Sequence, residues 1–288
     1  LKNLNRLNNF SFPAIAAAII ITAGLALGVG IPAIKDWQLK NVDKLLEEAS
    51  STNDQSTKLG LLAQAALLGK NDPLATERYA QNLWQAGEYN STIKAYQESF
   101  LNVNPSYLGV LALKANEPNK AKGFFEQSNR EGENDEALSG LAIVEFINNN
   151  PSKGCEYADR SRKLNLSSKQ AELAGEICEI SQNKSSLNAR QQAYTKLDAF
   201  MYTQALDELQ KLPTKNVSDW IAIAKIHANT GNLTAAIDSL KLANNQSPEN
   251  AEVMKLLISY LNADNRGGET QIYVDRLNEL QFKNYQSK

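Results

Sequence analysis

Few side chains in this sequence have types and spacings that could do chemistry together. His227 is the single histidine. A general base of that kind needs an acid or nucleophile within hydrogen-bond reach, and no sequence motif around it supplies one. Cys155 and Cys178 lack CxxC spacing and have no histidine nearby, which argues against a metal site. They read as buried small apolar residues. The alternative is one disulfide between adjacent helices, which would require an oxidising compartment. Glu131, Glu133, Asp135 and Glu136 gather four carboxylates between two helical patterns, but without the spacing of a calcium-binding EF-hand they read as a solvated turn. Gly267-Gly268 is an isolated turn rather than a phosphate-cradling loop, and no HExxH or GxSxG pattern occurs. No catalytic, cofactor-binding or metal-binding residue is therefore assigned, and the chain is not expected to be an enzyme.

Composition narrows the partners. The 288 residues carry 30 Lys+Arg against 32 Asp+Glu, a formal net charge of -2 that leaves no basic surplus for nucleic acid. Apolar residues make up 42%, ordinary for a folded protein, and no polar tract is long enough to predict disorder.

The chain opens with a polar tail over 1–11 containing Lys2 and Arg6, followed by 23 uncharged residues over 12–34 (FPAIAAAIIITAGLALGVGIPAI). At 1.5 Å per residue such a run spans a hydrocarbon core of ~30 Å. It is longer than the apolar region of a signal peptide and passes into Lys35-Asp36-Trp37 with no small-residue cleavage site. One transmembrane helix over 12–34, in contact with membrane lipid, is expected; Gly24 and Gly28 would let it pack against another helix. Lys2 and Arg6 before the run are balanced by Lys35, Lys40 and Lys44 after it, so counting basic residues does not orient it. The short, acid-free tail favours an inside amino terminus and an extracytoplasmic body. Residues 35–55 read as a helical connector and 283–288 as a polar tail.

Residues 56–282 between them read as helix pairs without any strand-period segment. In Val217–Asn250, Trp220, Ile223, Ala224 and His227 recur at three- and four-residue steps, as do Ala236, Ile237, Leu240 and Ala243. Gly231 ends the first helix and Pro248 closes the unit. This 34-residue stretch resembles a tetratricopeptide repeat. LWQAGEYNSTIKAYQESF in the unit that opens at Pro73 resembles the second half of the same consensus, departing at Thr92 and Thr76. The other units are carried by period and position. In the unit opening at Asn188, Phe200 stands where glycine is usual, which implies a differently built turn.

The resemblance implies an all-α fold: a right-handed α-solenoid of tetratricopeptide-like helix pairs preceded by one N-terminal transmembrane helix. It implies that His227 is a packed core residue. It also implies a concave protein-binding face lined by the first helix of each pair, with Glu77, Gln81, Trp84 and Gln85 in one unit. Arg190, Tyr194 and Asp198 line it in another, and Ile221, Lys225 and Asn229 in a third. Trp84 is the expected anchor, because Leu83 beside it already serves the core. The expected function is that of a membrane-anchored scaffold or adaptor binding a protein partner, within a secretion, pilus or assembly machine of a bacterial envelope. The alternatives are a self-assembling subunit of a surface filament, with the hydrophobic helix buried in the assembly, and a regulatory subunit of an enzyme complex.

Overall fold

The computed structural model describes residues 31–52, 54–69, 72–99, 101–165 and 167–286. The expected transmembrane run lies outside them over 12–30. Among the described residues no helix is long and apolar enough to cross a membrane. The chain forms two compact units, Leu1–Val103 and Asn104–Lys288.

The first unit contains α1 (Ile31–Ser51), α2 (Gln55–Leu68), α3 (Pro73–Gln85) and α4 (Tyr89–Glu98). α1 starts before the expected boundary at residue 35. It is no mere connector, because Val42, Leu46 and Ala49 bury one face of it against Leu62 and Ala65 of α2 and Ala75 of α3. Asp54 and Asp72 start α2 and α3 by accepting the backbone N–H groups of Thr57 and Leu74.

The second unit continues with α5 (Pro105–Lys114), α6 (Pro118–Glu131), α7 (Asp135–Ile147), α8 (Pro151–Leu164) and α9 (Lys169–Ser181). After these come α10 (Ala189–Asp198), α11 (Tyr202–Lys211), α12 (Val217–Asn229), α13 (Leu233–Gln246), α14 (Ala251–Ala263) and α15 (Gln271–Gln286). Every described residue in a regular element is helical. Successive helices pack as antiparallel neighbours: α5 on α6, α7 on α8, α10 on α11, α12 on α13, and α14 on α15.

One turn joins the two helices of a pair wherever it occurs. Its central residue has a positive φ: Gly87 (78°), Asn116 (58°), Asn149 (59°), Phe200 (58°), Gly231 (83°) and Asn265 (59°). The next residue donates its N–H to a carbonyl one turn back in the preceding helix, as in Glu117 to Ala112, Asn150 to Glu145 and Asn232 to His227, each at 2.8 Å. The central residue itself donates to another, as Asn149 does to Phe146 at 3.1 Å. Two carbonyls that the helix end would leave open are thereby satisfied. Phe200 builds this same turn, with Met201 donating to Lys196 at 2.9 Å, so the expectation of a different turn there is corrected. α9 also ends this way, at Asn183 (56°), yet 184–188 is not helical and leads directly to α10. The array therefore lacks one second helix.

At fixed offsets on either side of the turn residue the two helices touch through small side chains. Ala193 and Ala205 make one such pair, and Ala224 and Ala236 another, all fully buried. Pair stacks on pair in a comparable way. A Cβ on Gly109 of α5 or Gly140 of α7 would lie 2.6 or 2.3 Å from the buried Phe125 ring of α6. That ring fills the space between three helices because both glycines leave room for it.

Cys155 of α8 and Cys178 of α9 are joined in a disulfide, with Cα atoms 5.1 Å apart. This corrects the reading of two free, buried thiols. Helix adjacency brings the pair within bridging range, and sequence spacing does not reveal that adjacency.

The turn yields a stability series at Asn149. Asn149→Ala should lower the unfolding free energy by about 1 kcal/mol, because a Cβ without a compensating polar group is unfavourable at positive φ. Asn149→Gly should leave it unchanged or raise it slightly. Urea unfolding of the three proteins followed by circular dichroism checks the order.

Candidate protein-binding surface

The turn residue supplies a register for comparing first helices. Counting back from it, Gln85, Lys114, Ile147, Asp198 and Asn229 are equivalent, as are Gln81, Tyr194 and Lys225. Glu77, Ser106, Ser139, Arg190 and Ile221 form a third equivalent set.

In the third set Ser106, Ser139 and Ile221 are buried, and the partly exposed Glu77 and Arg190 are held by neighbouring helices. Ser106 donates to Ser128 at 2.8 Å and Ser139 lies 2.7 Å from Ser161, each bridging the two helices of a pair. Glu77 accepts from Tyr96 Oη of α4 at 3.1 Å. Ile221 is 7% exposed and belongs to the apolar core around Ala236 and Leu240. It presents no surface to a partner, which corrects its assignment to the concave face.

Arg190 and Tyr194 converge on Asp219, which is fully buried at the start of α12. Arg190 Nε donates to both carboxylate oxygens at 3.2 Å, and its Nη2 donates to the Thr214 carbonyl at 2.8 Å. Tyr194 Oη donates to Oδ1 at 3.2 Å. The Asn216 N–H donates to Oδ2 at 2.8 Å, completing a capping box. A carboxylate taken out of water needs donors for both of its oxygens. These two expected partner contacts therefore tie α10 to α12. Sequence reading missed Asp219, although its place three residues after Asn216 is the signature of a capping box. Burial, together with the adjacent negative charge of Asp219 and the hydrogen bond to it, pushes the Tyr194 hydroxyl up to about 12.

The remaining expected residues are on the surface. In α3, Trp84 is 41% exposed, Gln85 is exposed, and exposed Gln81 donates to Glu77 at 2.9 Å. In α12, Lys225 reaches Glu252 of α14 at 2.9 Å and Asn229 is exposed. Asp198 is exposed at the end of α10, with its carboxyl pushed up by partial desolvation. Within the second unit the arrangement brings α10, α12 and α14 side chains into one chain of contacts. His227 is half-buried, and desolvation lowers its pKa. In the acidic cluster, Glu133 pairs with Arg160 at 2.6 Å and Asp135 accepts from Asn165 at 3.4 Å. Among the described residues no group of three or more His, Cys, Asp or Glu side chains is spaced to hold a metal ion.

No family model matches the chain, and no curated protein matches it. Among solved structures it is similar to a tetratricopeptide repeat protein from Parabacteroides merdae, at 15% identity and a TM-score of 0.44, covering 77% of this chain and 99% of that one. It is similar to MamA from Desulfovibrio magneticus at 14% identity and a TM-score of 0.31, covering 64% of this chain and 98% of that one. A chain of the APC/C hetero-tetramer Cut9-Hcn1 matches at 18% identity and a TM-score of 0.35, covering 73% of this chain and 40% of that chain.

Tyr194 sets an alkaline limit on stability. Its folded pKa lies above the ordinary value of 10.0, so its contribution is complete below pH 10 and is lost as pH rises through about 12. Tyr194→Phe should show a shallower loss of stability across that window than the parent, measured by thermal unfolding at stepped alkaline pH.

Proposed function

We propose that this chain is a membrane-anchored adaptor whose tetratricopeptide-like helix pairs bind a protein partner in a bacterial envelope machine. The observation that carries this reading is that first helices leave side chains exposed at repeated register positions: Gln81, Trp84 and Gln85 of α3 in the first unit, and, separately, Lys225 and Asn229 of α12 in the second. Main-chain hydrogen bonding of these helix ends is satisfied by the turns, so the side chains themselves are what a partner would meet. Trp84 supplies the large amphipathic contact that interface hot spots favour.

The uncharged run over 12–34 supports the anchor. The Cys155–Cys178 disulfide supports a body in an oxidising compartment, in keeping with an extracytoplasmic orientation. Tethering the array to a bilayer raises its effective concentration towards membrane partners.

Crosslinking in intact membranes, followed by pull-down in mild detergent and mass spectrometry, tests the reading. One distinct partner at high yield supports the adaptor. Crosslinks only between copies of the chain would replace it with the self-assembling filament subunit. With that partner in hand, Trp84→Ala should weaken binding by about 2 kcal/mol or more. Unchanged affinity in a folded variant would remove Trp84 from the site.

A further inference from the structure

The boundary between α8 and α9 is built unlike two later boundaries at the same register. Counting six residues on from a turn residue and five back from the next picks out one position on each side of such a boundary. Between α11 and α12 these are Leu206 and Ile226, which share one apolar cluster. Between α13 and α14 they are Ile237 and Tyr260, which share another. Between α8 and α9 they are Cys155 and Cys178, far smaller side chains joined covalently. A bond here stands where two large side chains pack elsewhere.

α9 also has less to hold it than other first helices of the second unit. α7 packs on α6 and α8, and α12 on α11 and α13, so each has a second helix on either side. α9 packs on α7 and α8, but it is followed by 184–188, which is not helical. Arg162 of α8 reaches Glu179 of α9 at 3.6 Å, yet that pair is largely in water and adds little.

The bridge is within reach of a reductant. Cys155 and Cys178 are 8% and 9% exposed, whereas Ala158 of α8 and Ala174 and Ile177 of α9 are 0%, 0% and 1% exposed. Ser181 and Gln182 beside it are exposed, and Ser181 Oγ lies 3.8 Å from Cys155 Sγ. Gln182 Nε2 donates to both sulfurs at 3.3 Å. An amide N–H in that place steadies whichever sulfur departs as a thiolate.

We propose that Cys155–Cys178 is a redox switch that ties the end of α9 to α8 and is opened by a dithiol. One thiolate of the dithiol attacks Sγ of one cysteine and the S–S bond breaks. The electron pair leaves on the other sulfur, held by Gln182 until a proton arrives. The second thiol of the dithiol loses its proton and attacks the mixed disulfide, closing the dithiol's own disulfide and releasing the remaining cysteine. The bridge thereby gains two electrons and two protons, and the dithiol loses them. An oxidising compartment keeps the switch closed. Once reduced, the turns of α9 that carry Ile177, Cys178 and Ile180 loosen from α8. None of this depends on the adaptor reading.

Dithiothreitol and hydrogen exchange test the switch on the full chain in mild detergent. Without denaturant, dithiothreitol should open the bridge, scored by alkylation of Cys155 and Cys178. Amides over 175–182 should then exchange on the order of tenfold faster, while those of α12 and α13 keep their rates. Reoxidation should restore slow exchange. Gln182→Ala should slow opening several-fold and leave exchange in the closed form unchanged, which a merely structural role would not do. A bridge that opens only on unfolding overturns the proposal. So does opening that leaves 175–182 unchanged, or that speeds exchange throughout the second unit and so marks the bond as a general staple. An unchanged opening rate in Gln182→Ala overturns the part given to Gln182. The comparison of oxidised with reduced protein uses only the native chain, so it decides the matter even if the variant fails to fold.

Discussion

A left-handed residue at the end of each first helix is the constraint on which the helix pairs depend. Its positive φ lets two successive N–H groups turn back onto helix carbonyls and reverses the chain within a few residues, as Asn149 and Asn150 do towards Phe146 and Glu145. Because the reversal is fixed, the small residues on either side of it meet. Ala224 against Ala236 and Ala193 against Ala205 follow from the turn, not from any attraction of their own. At Phe200 the turn is made by a residue that sterics disfavour there. What compensates is on both sides of it: Ala199 before it and Met201 and Tyr202 after it are buried, and the Phe200 and Tyr202 rings meet edge to face at 6.4 Å. The turn at Phe200 sets the start of α11, so its strained backbone also aims Tyr202 and Gln204 at the ends of α5 and α7.

Buried carboxylates then fix one pair against the next. Glu145 of α7 accepts from Lys122 of α6 at 2.8 Å and from Asn150 at 3.1 Å, with Lys153 of α8 at 3.5 Å. Burial alone would raise its pKa, but the hydrogen bond and charge of Lys122 outweigh that and hold it below the ordinary carboxylate value. Asp219 does the same between α10 and α12 with Arg190 and Tyr194. An apolar contact can slide by a residue with little penalty. A buried charge shifted off its donors cannot, so these two sites determine relative helix positions more than they add stability. Between them lies the missing second helix after α9. The α8–α9 side of that gap is held by a covalent bond instead, the Cys155–Cys178 disulfide.

The helix pairs were legible where the turn residue is glycine. Gly87 and Gly231 mark the two units that matched a repeat on sight, because glycine has no other common reason to sit there. Asn116, Asn149, Asn183 and Asn265 build the same turn without glycine's signal. Asparagine is ambiguous: Asn104, Asn134, Asn188, Asn216 and Asn250 instead cap helix starts. At Phe200 the place of the turn was legible from the unit around it, but its conformation was not, since a phenylalanine carries no local preference for positive φ. For the surface, the resemblance to the repeat implied Trp84, Gln85, Lys225 and Asn229 as first-helix surface residues, and all four are exposed. The same expectation fails at Ile221 and Arg190, because their register position meets the second helix or the next pair, which one helix's sequence does not contain.

The change of residue type along that register is itself informative about what the array can bind. A first-helix row left open must be polar enough to remain in water, as with Gln81, Gln85, Lys225 and Asn229. A row of Leu113, Ile143, Phe146 and Ile177 left open would be an apolar patch of the kind that drives association. The two kinds of row cannot exchange places without either burying unpaired polar groups or exposing that patch. The helices packed around the apolar residues supply that burial, as where the Phe146 ring lies against Gly154 of α8. A partner of the exposed positions on α3 or on α12 would meet amides and a lysine, and would need hydrogen-bonding and charged groups of its own.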